Sequence, residues 1–482
     1  MSSKTWMIAV ETMILVVAGI LFSGCGGGGS SSAPPAPVPA ILNINSSSSA
    51  SSPVNLPIEI NGTAFLTAPG KVVFTQGSIA ATVVPSSSAW SDTGAVAVVP
   101  AGNGTTNFTV PGTVSVTVVT SNGTSNAVPL KLIQTLVFSP NNLTWTTTMA
   151  LPKALAGLRA VPVPGTSSTS AFVVVTGGYD GIANANTVWS NNLNSDGSVG
   201  SPTNTTWTTI TTNPLPETRA HHAMAEADPT NSLVATNSRF VYVLGGQKAS
   251  TDVPGGTNTV FMASVDPNSG AVGTWAPLTS TLPQNLIGPA AAVFNGYIYV
   301  VGGLMANGSP SSAVYSAPIN ADGTLGAWTT AANAYPAPAV SFATAFGFGG
   351  KLYVINGDPN GSTNPNSQGT AGVPFLNFAS ASRGVVGTWT ANPNSTIKAR
   401  LKHAVWPAFG QVILGEGVYS GNPGSSELER SQVNPDGSLA SWNGLTGVNA
   451  PNANVQRIGV CQPTPVCGGN APFPLAGGTE FH

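Results

Sequence analysis

The sequence predicts an all-β protein in which a small β-sandwich precedes a ring of six repeated four-stranded units. Three observations carry that prediction. First, charged residues make up 7% of the 482-residue chain, against about 25% in an ordinary soluble protein, while glycine and proline number 56 and 40. So charge-poor and turn-rich a composition excludes charged helical bundles, coiled coils and highly charged disorder. Hydrophobic residues still reach 41%, enough for substantial cores. Second, short runs alternate apolar and polar residues between Gly, Asn and Ser clusters, the period-two pattern of half-buried strands. Third, two sequence markers each recur six times beyond residue 134. The net charge is −2 with no basic run, so electrostatic binding of nucleic acid or an anionic membrane is not expected.

Residues 1–25 contain the membrane-directed segment. Lys4 supplies a positive start, and MILVVAGILF, from Met13 to Phe22, is an apolar stretch too short to span a bilayer. Leu21-Phe22-Ser23-Gly24-Cys25 resembles a bacterial lipoprotein signal, with Phe22 where that family usually has an aliphatic residue. The resemblance implies export, lipidation at Cys25 and attachment to a membrane of the cell envelope or cell surface through the N-terminal lipid. An ordinary secretory signal cleaved nearby is the alternative. Residues 26–39 (GGGGSSSAPPAPVP) read as a tether, flexible and then semi-rigid. The two remaining cysteines, Cys461 and Cys467 in VCQPTPVC, are expected to form a disulfide in an oxidising compartment. No histidine lies near them to complete a tetrahedral metal set.

Residues 40–133 hold the runs NLPIEINGTAF, GKVVFTQG, AVAVVPAG and GTVSVTVVTSNGTSNAVPLKL, which read as an antiparallel sandwich. Ile58 to Phe65, Val72-Val73-Phe74, Val98 to Gly102 and Val114 to Asn126 resemble the IPT/TIG variety of immunoglobulin-like domain. That resemblance implies a spacer or adhesion unit.

Residues 134–482 repeat. A strand ending in a glycine pair or its remnant recurs as FVVVTGG at Phe172, FVYVLGG at Phe240, YIYVVGG at Tyr297, LYVING at Leu352, QVILGEG at Gln411 and FPLAGG at Phe473. A tryptophan opens a later strand at Trp145, Trp207, Trp275, Trp328, Trp389 and Trp442. By subtraction these lie 53 to 68 positions apart, room for four strands. Between the markers, NSDGSVG at Asn194, NADGTLG at Asn320 and NPDGSLAS at Asn434 read as hairpin turns needing positive φ at glycine. Each has one carboxylate and lacks a calcium loop's ligand ladder. The markers resemble kelch-type β-propellers, the architecture shared by galactose oxidase. The resemblance implies six blades, the last assembled from both ends of the segment: residues 134–149 match third and fourth strands, and 455–478 match first and second strands.

In an antiparallel blade, residues after the glycine marker share a rim with those opening the first strands. That places Asp180, Lys248, Asp358 and Glu416 beside Arg219, His221 and His222 of ETRAHHAMA and Arg400, Lys402 and His403 of KARLKHAVW. With so few charges in the chain, this rim is the expected ligand-binding surface for a protein or glycan. His222 and His403 sit where kelch repeats place a histidine after an arginine, which implies a packing role. A copper centre like galactose oxidase's needs a cysteine in an early blade, and none is present there; no cofactor and no metal are expected. No serine nucleophile elbow, phosphate-cradling loop or HExxH occurs. The expected function is non-catalytic binding or adhesion. A carbohydrate-active enzyme using two rim carboxylates and a structural envelope component are the alternatives.

Overall fold

The computed structural model describes residues 36–444 apart from 46–49, 135–148, 154, 166–170, 195–197, 201–205, 211, 228–238, 250–254, 295, 362–373, 409, 416 and 418–427. Among the described residues the protein is all-β, with one short 3-10 turn at Ser87–Ala89 and no α-helix. Every strand lies in a compact unit beginning at Val38. Cys25, Cys461, Cys467, Trp145 and most of the two segments read as a shared sixth blade lie outside the described residues.

The first part consists of two sheets. Ala40–Ile44, Pro57–Thr63, Gly94–Val98 and Trp90–Ser91 form one, in that spatial order. Ser51–Ser52, Val128–Leu132, Gly112–Thr120, Lys71–Gln76 and Ile79–Val83 form the other, with Gly123–Thr124 folded back on Gly112–Thr120. Pairing is antiparallel except between Val128–Leu132 and Ser51–Ser52. Alternate residues point inward: Ile58 and Ile60 from one sheet, and Val72, Phe74, Val114, Val116, Val118, Leu130 and Leu132 from the other, join a single core. Burying each such side chain contributes about 1.5–3 kcal/mol, which makes this shared core the reason the alternating runs fold as a double sheet.

Five four-stranded sheets follow, each antiparallel with its strands in chain order. Sheet 1 comprises Arg159–Pro164, Ala171–Thr176, Val188–Leu193 and Thr208–Thr209; sheet 2, Ala223–Ala227, Arg239–Leu244, Val260–Val265 and Ala276–Pro277. Sheet 3 comprises Ala290–Phe294, Tyr297–Val301, Val314–Pro318 and Thr329–Thr330; sheet 4, Thr344–Phe348, Lys351–Ile355, Leu376–Ser382 and Val385–Ala391. Sheet 5 comprises Ala404–Ala408, Gln411–Gly415, Leu428–Gln432 and Asn443–Gly444. None of these sheets closes on itself. First strands of successive sheets approach one another, and the cores lie between sheets: Val173, Val175 and Trp189 of sheet 1 pack with Met224, Val241, Val243 and Phe261 of sheet 2. Second strands are therefore covered on both faces and read as unbroken apolar runs.

The tryptophan marker falls at the fourth strand of each sheet. The Trp328 indole N–H donates to the Ser280 carbonyl (3.1 Å) and that of Trp389 to the Asn333 carbonyl (3.2 Å), so each ties its sheet to the connection leaving the preceding one. At the end of each sheet that carries the hairpin turns, a side chain opening the second strand lies over the turn glycine of the next sheet. Phe172 covers Gly270, Phe240 covers Gly323, Tyr297 covers Gly384 and Lys351 covers Gly437. The turns are also bonded directly, since the Tyr242 hydroxyl donates to the Gly323 carbonyl at 2.6 Å. Within the NADGTLG turn, Asp322 Oδ1 accepts from the Thr324 amide (3.0 Å) and hydroxyl (2.6 Å), which occupies its carboxylate locally.

The double sheet is joined to sheet 4. Leu56 enters the core of Phe346, Tyr353 and Phe378, and Pro57 and Val96 lie over the Gly349-Gly350 turn.

Candidate functional site

The rim is organised by backbone. Just before each first strand one residue is left-handed: Gly157 (φ 63°), His221 (53°), Gly288 (60°), Phe342 (53°) and Lys402 (56°). Each N–H donates to the carbonyl of its counterpart in the preceding sheet: His221 to Gly157 (2.8 Å), Gly288 to His221 (2.7 Å), Phe342 to Gly288 (2.8 Å) and Lys402 to Phe342 (3.1 Å). The glycine marker supplies a second ladder, from Gly178 to the Arg219 carbonyl (2.6 Å), Gly246 to Leu286 (2.8 Å), Gly303 to Val340 (2.9 Å) and Gly357 to Arg400 (2.8 Å). The first glycine of the marker is needed too, because a Cβ on Gly177 or Gly302 would collide with the Arg219 or Val340 carbonyl and both have positive φ. Reciprocal amide bonds join Tyr179 to Ala156, Gln247 to Ala220 and Asp358 to Ser341. Residues following the marker and residues opening the first strand thus share one end of the sheets.

Side chains along the first ladder pack on one another. His221 meets the Phe342 ring edge-on, with centroids 5.6 Å apart, and Lys402 Nζ lies 4.9 Å from the same centroid, in reach of a cation–π attraction. A Cβ on Gly288 would collide with Phe342, and one on Gly157 would come within 2.9 Å of the His221 ring. All three side chains are buried.

Most of the expected rim charges prove to be interior. Arg219 is fully buried; its guanidinium donates to Glu217 Oε2 (2.9 Å), the Thr218 carbonyl and the Thr259 hydroxyl, and stacks on Phe261 (4.8 Å). Arg400 is also fully buried and donates through Nη2 (3.2 Å) and Nε (3.3 Å) to Glu429 Oε1, while Glu429 accepts from the Ile397 and Lys398 amides (2.6 and 3.2 Å). Asp358 is buried, accepts from the Asn360 amide at 2.9 Å, and desolvation raises its carboxyl pKa against the pull of that amide and Lys402. Glu416 lies outside the described residues.

The two histidines after the left-handed residues share a register and differ in partner. His222 Nε2 and the Thr176 hydroxyl are hydrogen-bonded at 2.8 Å. The residue corresponding to Thr176 in sheet 4 is Ile355, whose side chain has no hydroxyl, and the His403 ring faces the Ile355 backbone carbonyl without the geometry of a full hydrogen bond. Burial, then the charges of Arg400 and Arg159, push His403 down to about 3 against the opposing Ile355 carbonyl, so the ring is neutral.

Two accessible ion pairs lie on the loops of sheets 1 and 2. Lys153 Nζ bonds Asp180 Oδ2 at 2.5 Å, with the side chains 56% and 20% exposed. Lys248 Nζ bonds Glu217 Oε1 at 3.0 Å, 42% and 40% exposed. The Lys153 bond and the Ala183 and Ile182 amides hold Asp180 well below the usual carboxylate range. Desolvation pushes Glu217 up, but hydrogen bonds from Lys248 and Arg219 outweigh it and keep its pKa low. Asn184 Nδ2 donates to the Gln247 carbonyl at 3.0 Å, joining the two loops, and Ile182 of the sheet 1 loop is exposed.

Of the expected ligand residues, Asp180 and Lys248 are therefore accessible, whereas Arg219, His221, His222, Asp358, Arg400, Lys402 and His403 are buried. Sequence reasoning missed Lys153, Glu217 and Glu429. Glu217 had a signal, two positions before Arg219 in ETR; Glu429 had none, being 29 positions from Arg400. Among the described residues no group of three His, Cys, Asp or Glu side chains is arranged to hold a metal ion. The chain matches no protein-family model, and no curated protein matches it either.

Proposed function

We propose that this chain is an exported surface protein, lipid-anchored at Cys25, in which a six-bladed kelch-like β-propeller is carried on an IPT/TIG-like immunoglobulin sandwich and binds a protein or glycan without catalysis. The five sheets in chain order, their joined first strands and the repeating ladders support the propeller, and the double sheet with one core supports the sandwich. One observation carries the binding reading: on the loops of sheets 1 and 2, accessible rim charges stand as two ion pairs, Lys153–Asp180 and Lys248–Glu217. Asp180 and Glu217 are held ionised there, which suits them to accept hydrogen bonds from a ligand and not to donate a proton. A carbohydrate-active enzyme is the second reading, favoured by Asp358, whose raised pKa is the property a glycosidase's general acid requires.

Replacing Lys153, Glu217 and Lys248 with alanine is expected to weaken binding on glycan and cell-surface protein arrays at least tenfold. Asp322→Ala, in a turn at the opposite end of the sheets, should leave it unchanged. Equal binding by both sets would overturn the assignment, and hydrolysis of a glycan panel lost in Asp358→Asn would favour the enzyme. Mass spectrometry of the mature protein is expected to find an acylated Cys25; an N-terminus without acyl chains would remove the anchor.

A further inference from the structure

We propose that the double sheet is a rigid standoff, keyed to sheet 4, that holds the rim on the side away from the point where the tether joins. Three sets of contacts carry this. The chain enters at one end: Val38 lies against Gly123, in the turn that ends Gly112–Thr120, and Ala40 pairs with Thr63. It leaves from the other end, where Leu132 pairs with Gly112 and the Ile133 amide donates to the Ser52 carbonyl at 3.2 Å. Strand Gly112–Thr120 has nine residues, so about 30 Å of hydrogen-bonded sheet separates entrance from exit.

The exit end is also the docking end. Pro57 begins the strand whose far end, Thr63, lies beside the entrance, and Leu56, Pro57 and Val96 hold the Gly349-Gly350 turn. That turn joins the first and second strands of sheet 4. In a sheet of consecutive antiparallel strands, it lies at the opposite end from the residues that follow the second strand and precede the first. Those are Asp358, Ser341 and Phe342, members of the rim. The double sheet thus sits on the turn end of sheet 4, and its long axis leads from there to Val38. A tensile load on the tether passes along paired strands, and the paired charges of sheets 1 and 2 are presented outward. The mechanical assignment stands on these contacts alone; its use in displaying a ligand surface rests on the reading above.

Electron–electron distance measurements on the full chain test it, with spin labels carried on azide-bearing residues at Thr124, beside the entrance, and Asn285, on the rim of sheet 3. A single narrow distance distribution is expected, broadening in Val96→Asp and unchanged in Thr82→Asp on the far edge of the double sheet. Circular dichroism identifies any variant that has simply unfolded. A broad distribution in the unsubstituted protein would overturn the standoff, and so would a narrow one that Val96→Asp leaves unaltered. Neither result depends on a ligand, so failure here and failure of the binding assignment are separable.

Discussion

His403 shows how a single exchange in a repeated environment changes a residue's chemistry. At the junction of sheets 1 and 2 the histidine bonds Thr176 through Nε2; at the junction of sheets 4 and 5 the same position faces Ile355, which has no side-chain hydroxyl. With its ordinary value at 6.5 and its folded value near 3, the unfolded chain binds a proton in that window that the folded protein does not. Stability contributed by neutral His403 is present above about pH 6.5 and lost as pH falls toward 3. Asp358, raised by burial, acts in the opposite sense, favouring the folded state at low pH. Denaturant titrations between pH 7 and 4 should therefore show a decline that His403→Gln flattens, and an unchanged slope in that variant would refute the assignment. The buried Arg400–Glu429 pair belongs to the same scale. Removing one partner of such a pair commonly costs about 3–5 kcal/mol, so these residues serve the fold before any ligand.

The strand elements explain which parts of the sequence were legible. The all-β class, the alternating runs and the marker strands reflect local requirements: inward side chains every second residue, left-handed glycine in a turn, and an apolar run in a strand covered on both faces. The fate of the rim charges was not legible, because burial is decided by neighbours brought together from other sheets. The backbones of Arg219 and Arg400 lie at the same end of the sheets as the residues after the glycine marker, yet their side chains turn inward to Glu217 and Glu429. Glycines at this end of the sheets meet two separable demands, shown by Gly302 of the marker and by Gly181, three residues past the marker of sheet 1. Gly302 has positive φ and stands against the Val340 carbonyl, whereas Gly181 has positive φ with open space around it. Gly181→Ala should cost about 1–2 kcal/mol of stability, and Gly302→Ala about 3 kcal/mol or more once the collision is added. Similar losses for the two in chemical denaturation would show that the contact with the next sheet is unimportant.

For the molecule as a whole, the change from double sheet to four-stranded sheets falls between Leu132 and Arg159, but the parts are not independent. Leu56 precedes that boundary by many residues and still belongs to the core of sheets 4 and 5. No local pattern announces this, since an isolated leucine before a proline is ordinary in a turn. Unfolding is expected to be one cooperative transition reported equally by Trp90 of the double sheet and the tryptophans of the sheets. Leu56→Asp should divide it into two, and two transitions in the unsubstituted protein would count against coupling.

The ladder of left-handed residues has a practical consequence. Its bonds are made by amides and carbonyls alone, and the position already tolerates glycine, histidine, phenylalanine and lysine in one chain. The joint between neighbouring sheets is thus made partly in backbone, while the buried His221, Phe342 and Lys402 side chains pack on one another along it. Gly157 and Gly288 are spare coding positions only if the ring lying over each is trimmed with them, so useful libraries would vary Gly157 with His221 and Gly288 with Phe342. Varied in those pairs, the positions would show how far the buried packing along the ladder can be exchanged while its backbone bonds are kept.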